Sequence, residues 1–408
     1  MKIRSISCFI DPASEALETG IEKRARFAQE AVSLFNQAGY EVQTTRLVTT
    51  PFPRWFSSLE PAAAVRQALE IEKSAGENHF SYLALGPALP EQPQSYAVIP
   101  DILSATQHVF LGGFMASRAA GISLAGVKAC ARVIHQAATI TPDGFANLRF
   151  AAIANLPPYG PFFPSSYASG PEPAFSLAIE SADLAIAAFQ QARTLEECRQ
   201  NLLASLDLHS RRLMEVSMQL QQAHQVEFKG LDISLAPYPE DWCSMGKALE
   251  LLGPTSAGLS GSLAAAAFIA DTLDMGTWKK VGFNGLMLPV LEDSVLAQRS
   301  SDGTLTLRDL LLFSAVCGAG LDTVPLPGDS TVEQLTAVLL DVAALANRLG
   351  KPLTARLMPV PGKKAGENTS FDFSFFANGS VLDLPAQPLS GPLAGSETFT
   401  LHPRSNPV

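Results

Sequence analysis

The chain has 408 residues, of which 47% are hydrophobic and 17% charged. This is enough apolar material for a large core and too little charge for intrinsic disorder. Lys and Arg number 29 against 39 Asp and Glu, a net charge of -10. That balance speaks against a general nucleic-acid binder, whose affinity comes from clustered cations, and gives no support to an anionic membrane surface as partner.

Met1 to Ile10 is charged and has no long apolar run before Asp11-Pro12, so it reads as a first strand rather than a signal peptide. Asp11 is expected to cap a helix with Pro12 at its first position. Ile21, Ala25, Ala28, Val32 and Phe35 then recur at the spacing of one helical face, and Gly39 suits a left-handed stop. Glu41 to Leu47 is the next extended segment, which makes a parallel pair with a right-handed crossover.

Further extended segments are expected at 80–85, 108–111, 149–155, 175–179, 231–235, 286–290, 323–326 and 354–358, with helical patterns between most of them. Thr194-Leu195-Glu196-Glu197 is a capping box opening a long helix toward His224. Ser330-Thr331-Val332-Glu333 opens another that ends at Gly350. The alternation gives an α/β protein with a mostly parallel sheet. Residues 156–164, Leu-Pro-Pro-Tyr-Gly-Pro-Phe-Phe-Pro, are too aromatic for a linker and are expected to pack as an ordered loop over a pocket or an interface. After Leu384 the chain is Pro- and Gly-rich without periodicity, which predicts a loosely ordered tail.

No window approaches the roughly 20 apolar residues of a membrane-spanning helix. Cys8, Cys130, Cys198, Cys243 and Cys317 are odd in number, scattered and free of C-x-x-C spacing, as expected of reduced thiols in a cytoplasmic protein. Cys317 lies near the C-terminal end of an apolar helix, where a thiolate is disfavoured and a buried, unreactive thiol is expected. Gly253 to Gly258 has the spacing of a phosphate loop, but Leu259-Ser260 stands where the lysine is needed. No histidine pair has zinc-ligand spacing.

Four places carry more pointed chemistry. Gly112-Gly113 follow a strand, where either a tight turn or a ligand's close approach accounts for them. Asp232 and Ser234 share one face of a strand, and Ser244 stands where a following helix can begin. Glu292-Asp293 follow an apolar run, at the strand end where ligands collect in parallel α/β folds. They serve either as helix-start acids or as carboxylates able to bind a divalent cation. Arg356 lies in an apolar strand and requires a partner, either a structural carboxylate or an anionic ligand to which Lys363 or Lys364 adds charge.

These blocks together resemble the uncharacterised UPF0210, or DUF711, family. They run in the family's order: Phe110 to Phe114, Asp232 to Pro237 with Ser244, Val281 to Asp293 including Asn284, Ala315 to Asp322, and Arg356 with Pro361 to Lys364. The resemblance implies a ten-stranded α/β barrel like that of pyruvate formate-lyase-like glycyl radical enzymes, with a loop reaching inside. It does not imply their chemistry. Nothing after Gly350 matches the Arg-Val-x-Gly-aromatic radical loop, and no Cys-Cys pair is present, so no glycyl radical is expected. The chain also looks shortened between His135 and Asn147, and an aromatic stretch replaces the family's His-containing glycine-rich one.

The expectation is therefore a single barrel domain over 1–383 followed by a tail over 384–408. Its function would be that of a cytoplasmic, non-radical enzyme acting on a small polar or anionic metabolite. Asp232, Glu292 and Asp293 are the catalytic or metal-binding carboxylates in that reading. Gly112, Gly113, Ser234, Ser244, Asn284, Arg356 and Lys363 would contact the ligand. Two alternatives stand beside it: a ligand-sensing protein on an enzyme-derived barrel, and a structural homo-oligomer with Phe162, Phe163 and Tyr167 at its interface.

Overall fold

A computed structural model describes residues 1–403. Its strands are β1 (Lys2–Ile10), β2 (Thr45–Thr49), β3 (Tyr82–Ala88), β4 (Val109–Ser117), β5 (Gly121–Ser123), β6 (Phe150–Ala154), β7 (Ala174–Glu180), β8 (Glu227–Ala236), β9 (Gly320–Pro327), β10 (Leu353–Val360) and β11 (Thr398–Phe399). They form one 11-stranded sheet in the order β8-β7-β1-β2-β3-β4-β6-β10-β9, with β5 and β11 attached beside β4. Neighbours β1, β2, β3, β4 and β6 run parallel, as do β7 with β8 and β9 with β10; β1–β7 and β6–β10 are antiparallel.

Helices connect the parallel strands and cover the sheet. Leu17–Gln37 buries Ile21, Ala25, Ala28 and Phe35, the face expected from their spacing. They join Ile3, Ile6 and Leu47 in the main apolar core. Thr194 caps the 30-residue helix Leu195–His224 by accepting from Glu197 N. Gly350 stops the helix Val332–Leu349 in the left-handed conformation, φ 64°.

Some local expectations are corrected. Asp11 caps a turn rather than a helix: its side chain accepts from Ala13 N and Thr50 Oγ1, and the helix begins only at Leu17. The second capping box sits one residue later, with Thr331 and Gln334 bonded reciprocally. Residues 286–290 form no strand. They belong to a segment between the edges β8 and β9, with parallel bridges Leu231–Lys280 and Pro289–Asp322 and a Met287 N to Ser234 O bond of 3.1 Å. The ladder between β8 and β9 is therefore not continuous, and the sheet does not close into the expected ten-stranded barrel.

The aromatic loop lies against the inner face of this curled sheet. Ser5 and Ser7 both donate to Pro161 O, and Ser176 donates to Tyr159 O. Phe9 meets Tyr159 edge-on, and Phe110 meets Phe163. Of the residues expected at a homo-oligomer interface, Phe162 and Phe163 are buried within this chain and Tyr167 is half-buried. Beyond Leu384, β11 pairs antiparallel with β5, and Lys128 Nζ donates to the carbonyls of Ala394 and Gly395. Backbone bonding thus holds a stretch that has no side-chain periodicity. Residues 404–408 of the expected tail lie outside the described residues.

Candidate functional site

A cavity of about 540 Å³ opens inside the curl of the sheet, a size suited to a small organic ligand. Its wall is built from the beginnings of the parallel strands: Arg4 of β1, Arg46 of β2, Tyr82 of β3, Phe110 of β4 and Ala151 of β6. The site was expected at the carboxyl end of the run 286–290, and Glu292, which follows that run, does line the cavity, as do Ala236 and Pro237 at the carboxyl end of β8. The aromatic loop adds Phe162 and Phe163, and a loop near the C-terminus adds Phe373 and Phe375. Asn378 pins that second loop, its Oδ1 accepting from Phe371 N and Thr369 Oγ1. The body of the cavity is thus aromatic.

Its floor carries a buried charge network. Glu292 accepts from Arg4 Nη2 at 2.5 Å and from Arg356 Nη2 at 2.6 Å. Arg4 also pairs with Glu180 at 2.9 Å, and Arg356 Nε with Asp322 at 2.6 Å. Burial pushes the Glu292 carboxyl up, but Arg356 and Arg4 outweigh it and hold the group below its ordinary range. Burial also pushes Asp322 up, and one guanidinium contact does not offset it, partly because the negative Glu292 stands nearby. Two neighbouring carboxyls are thereby driven in opposite directions.

Arg46 is different. It is only 8% exposed, and its Nε donates to Thr44 Oγ1 at 3.1 Å. Its guanidinium lies 4.8 Å from the centre of the Phe163 ring and 5.8 Å from that of Tyr82. Among the described residues no carboxylate pairs with it, while Glu180, Glu292 and Asp322 are taken by Arg4 and Arg356. Burial, with the repulsion of Arg4 added, lowers its pKa to about 9, which still leaves it charged at neutral pH. An unpaired buried cation facing a cavity is costly to the fold and is a ready anchor for an anion.

Asp322 reaches the cavity through a bulge. Between the pairs Ala355–Leu321 and Leu357–Val324 the register of β10 and β9 slips by one, so Asp322 and Thr323 together oppose Arg356. Thr323 has φ 40°, a rare conformation for a β-branched residue. Bulges and strain of this kind gather next to functional sites, where they re-aim a side chain.

Of the catalytic and ligand-contacting residues expected from sequence, Glu292 and Arg356 line the cavity. Asp232, Asp293, Ser234, Ser244, Asn284, Gly112, Gly113 and Lys363 do not. Asp232 is fully buried and accepts from Ser234 Oγ, Phe283 N and Asn284 N; burial raises its pKa to about 6 against those bonds. Asn284 Oδ1 accepts from Ile233 N and Trp278 Nε1, so this cluster fastens the segment that runs between β8 and β9. Asp293 caps two helices at once. It accepts from Val295 N and Leu296 N of Ser294–Ser301, and from Met245 N, Gly246 N and Ser244 Oγ at the start of Met245–Leu251. Gly112 and Gly113 are packing glycines: a Cβ there would stand 2.4 Å from Ile153 Cδ1 or 2.8 Å from Cys130 Sγ. Lys363 takes part through its backbone, bonded to Val360 and Gly328.

Residues 1–377 match the family described as "Uncharacterised ACR (DUF711)". A UPF0210 protein of Pyrobaculum arsenaticum is 31% identical over 379 residues, covering 88% of this chain and 82% of that protein. One from Syntrophobacter fumaroxidans is 30% identical over 354 residues, covering 82% and 77%. The chain belongs to the DUF711, or UPF0210, family.

Arg46, Asp322, Arg4 and Tyr82 were not among the site residues expected from sequence. Arg46 could have been found by the same reasoning as Arg356, since Thr45-Arg46-Leu47-Val48 also sets a guanidinium in an apolar strand. Among the described residues no group of three or more His, Cys, Asp or Glu is placed to hold a metal ion. No helix among them is long and apolar enough to cross a membrane.

Proposed function

We propose that this DUF711 protein is a non-radical enzyme acting on a small anionic metabolite with an apolar, ring-sized body. The observation that carries the reading is Arg46, a buried guanidinium lining an aromatic cavity without a carboxylate partner. A ligand carboxylate or phosphate would supply the missing charge, with the rings of Tyr82, Phe110, Phe162 and Phe163 around its body. Glu292 and Arg356 form the charged wall against which the ligand's reacting end would lie. The curled sheet, bridged at its open edge by residues 280–291 and filled by the aromatic loop, is the basis for retaining a barrel kinship with the glycyl radical enzymes. The five cysteines are buried and free, which suits a reducing compartment.

The test is a thermal-shift comparison of benzoate, phenyl phosphate and benzylamine. A ligand that binds the folded state raises the transition temperature by an amount that grows with its concentration over Kd. Benzoate or phenyl phosphate should raise it, benzylamine should not, and Arg46→Met should abolish the increment. An equal shift with the amine, or an increment that survives Arg46→Met, would overturn the reading.

A further inference from the structure

We infer that Asp322 is the acid/base residue of this cavity, exchanging a proton with the bound anion from the bulge that sets it against Arg356. The inference rests on the anion reading above and adds to it a named proton carrier. Three observations carry it. Asp322 lines the cavity and its side chain keeps 15% exposure. It is held by a single guanidinium contact, Arg356 Nε at 2.6 Å, whereas Glu292 is clamped from two sides. The backbone at Thr323 departs from ordinary strand geometry, φ 40°, just where the register slips to present Asp322.

Glu292 is the carboxylate least able to do this work. A group held ionised by two guanidiniums gives up their attraction if it takes a proton. Asp322 is offset less strongly, and the burial that raises its pKa favours the neutral acid. In the step, the O–H bond of Asp322 breaks and its proton moves to a basic atom of the ligand. The electron pair stays on the carboxylate, where Arg356 Nε stabilises it; the reverse transfer restores the acid. The charged or titratable groups around the cavity are Arg356 on β10, Glu292 after the 280–291 segment, Arg4 on β1, Arg46 and Tyr82 on β2 and β3, His108 before β4 and Arg149 before β6. A ligand anion held in the cavity that Asp322 lines adds negative charge there and so favours its protonated form further.

The experiment is calorimetric titration of the full-length protein with benzoate, from about pH 5 to about pH 8, in buffers of differing ionisation enthalpy. The comparison counts protons taken up on binding. Wild type should take up a fraction of one proton per benzoate within that range. Asp322→Asn, which keeps an acceptor for Arg356, should still bind but take up none. Asp322→Glu should move the pH of half-maximal uptake, and it serves as the test if the Asn variant does not fold. Binding without uptake at any pH overturns the role of Asp322 alone, as does uptake that persists in Asp322→Asn or a profile unchanged in Asp322→Glu. Failure of wild type to bind benzoate or phenyl phosphate overturns the anion reading and this inference with it.

Discussion

Glu292 joins two guanidiniums that come from opposite parts of the chain, Arg4 at 2.5 Å and Arg356 at 2.6 Å. Arg4 is on the first strand and Arg356 on the tenth, so the carboxylate ties the start of the fold to its end across the cavity floor. Removing it leaves both cations with one fewer counter-charge in a site where all three side chains are about nine-tenths buried. Glu292→Gln should therefore destabilise by about 3–5 kcal/mol, the range for breaking a buried pair. The folded pKa of Glu292 is depressed, so its contribution is present above the unfolded value and lost as pH falls through the folded one. Urea unfolding of wild type and variant should show a gap that is full at pH 7 and shrinks below about pH 4.5. A gap under about 1 kcal/mol at pH 7 would show that the network does not act as a buried ion pair.

Arg46 should behave in the opposite sense. Its pKa is lowered to about 9, first by burial, so the charged form at neutral pH costs the folded state free energy. The cost is partly offset by the Thr44 hydrogen bond and the Phe163 and Tyr82 rings. Arg46→Met keeps the volume and removes the charge. It should stabilise the protein by about 1–3 kcal/mol, while lowering affinity for benzoate at least about tenfold. Because the folded pKa is depressed, the stabilisation should be constant at neutral pH and fade only as pH rises above about 9. A variant that loses both stability and binding would mean that Arg46 is a structural residue.

Asp293 gives the contrasting case of a carboxylate that matters to the fold and not to the cavity. It accepts from four backbone N–H groups and one hydroxyl, which fixes two helix starts to one another. Asp293→Ala should cost about 3–5 kcal/mol, since several buried donors lose their acceptor together. Calorimetric affinity for benzoate, measured well below the unfolding temperature, should stay within about twofold of wild type. A large loss of affinity in a variant that remains folded would place Asp293 in the binding machinery after all.

Local signals made most of the strands and helices legible, because an apolar alternation such as Ile3 to Phe9 or a cap such as Thr194 acts over a few residues. Residues 286–290 were misread for a physical reason. Leu286, Leu288 and Val290 are fully or nearly fully buried, so they look like a strand, yet their backbone makes only isolated bridges to β8 and β9. Burial, not pairing, selected those side chains. The site was legible where a charge interrupted an apolar run, as at Arg356 and Glu292. It was hidden where the signal is relational: Asp322 earns attention only once a register slip sets it and Thr323 opposite Arg356. Asp232 and Asp293 misled for the converse reason, since a buried acid that satisfies backbone amides has the same sequence surroundings as one that faces a ligand.

Asp232 offers the sharpest pH test of that distinction. Burial raises its pKa to about 6, against bonds from Ser234, Phe283 and Asn284 that favour the charged form. A carboxyl whose folded pKa exceeds its unfolded value near 3.8 contributes stability that is complete below the unfolded value and is lost as pH rises through the folded one. Wild type should thus gain stability relative to Asp232→Asn on going from about pH 6 to about pH 4, by roughly 1.4 kcal/mol for each unit by which the two pKa values differ. Any constant offset from the altered hydrogen bonds cancels in that comparison. Urea unfolding of both proteins at about pH 4.5 and about pH 7 reads the change directly. A stability difference independent of pH would show that the three hydrogen bonds outweigh burial and keep Asp232 ionised throughout, as a purely structural anion fastening residues 283–285.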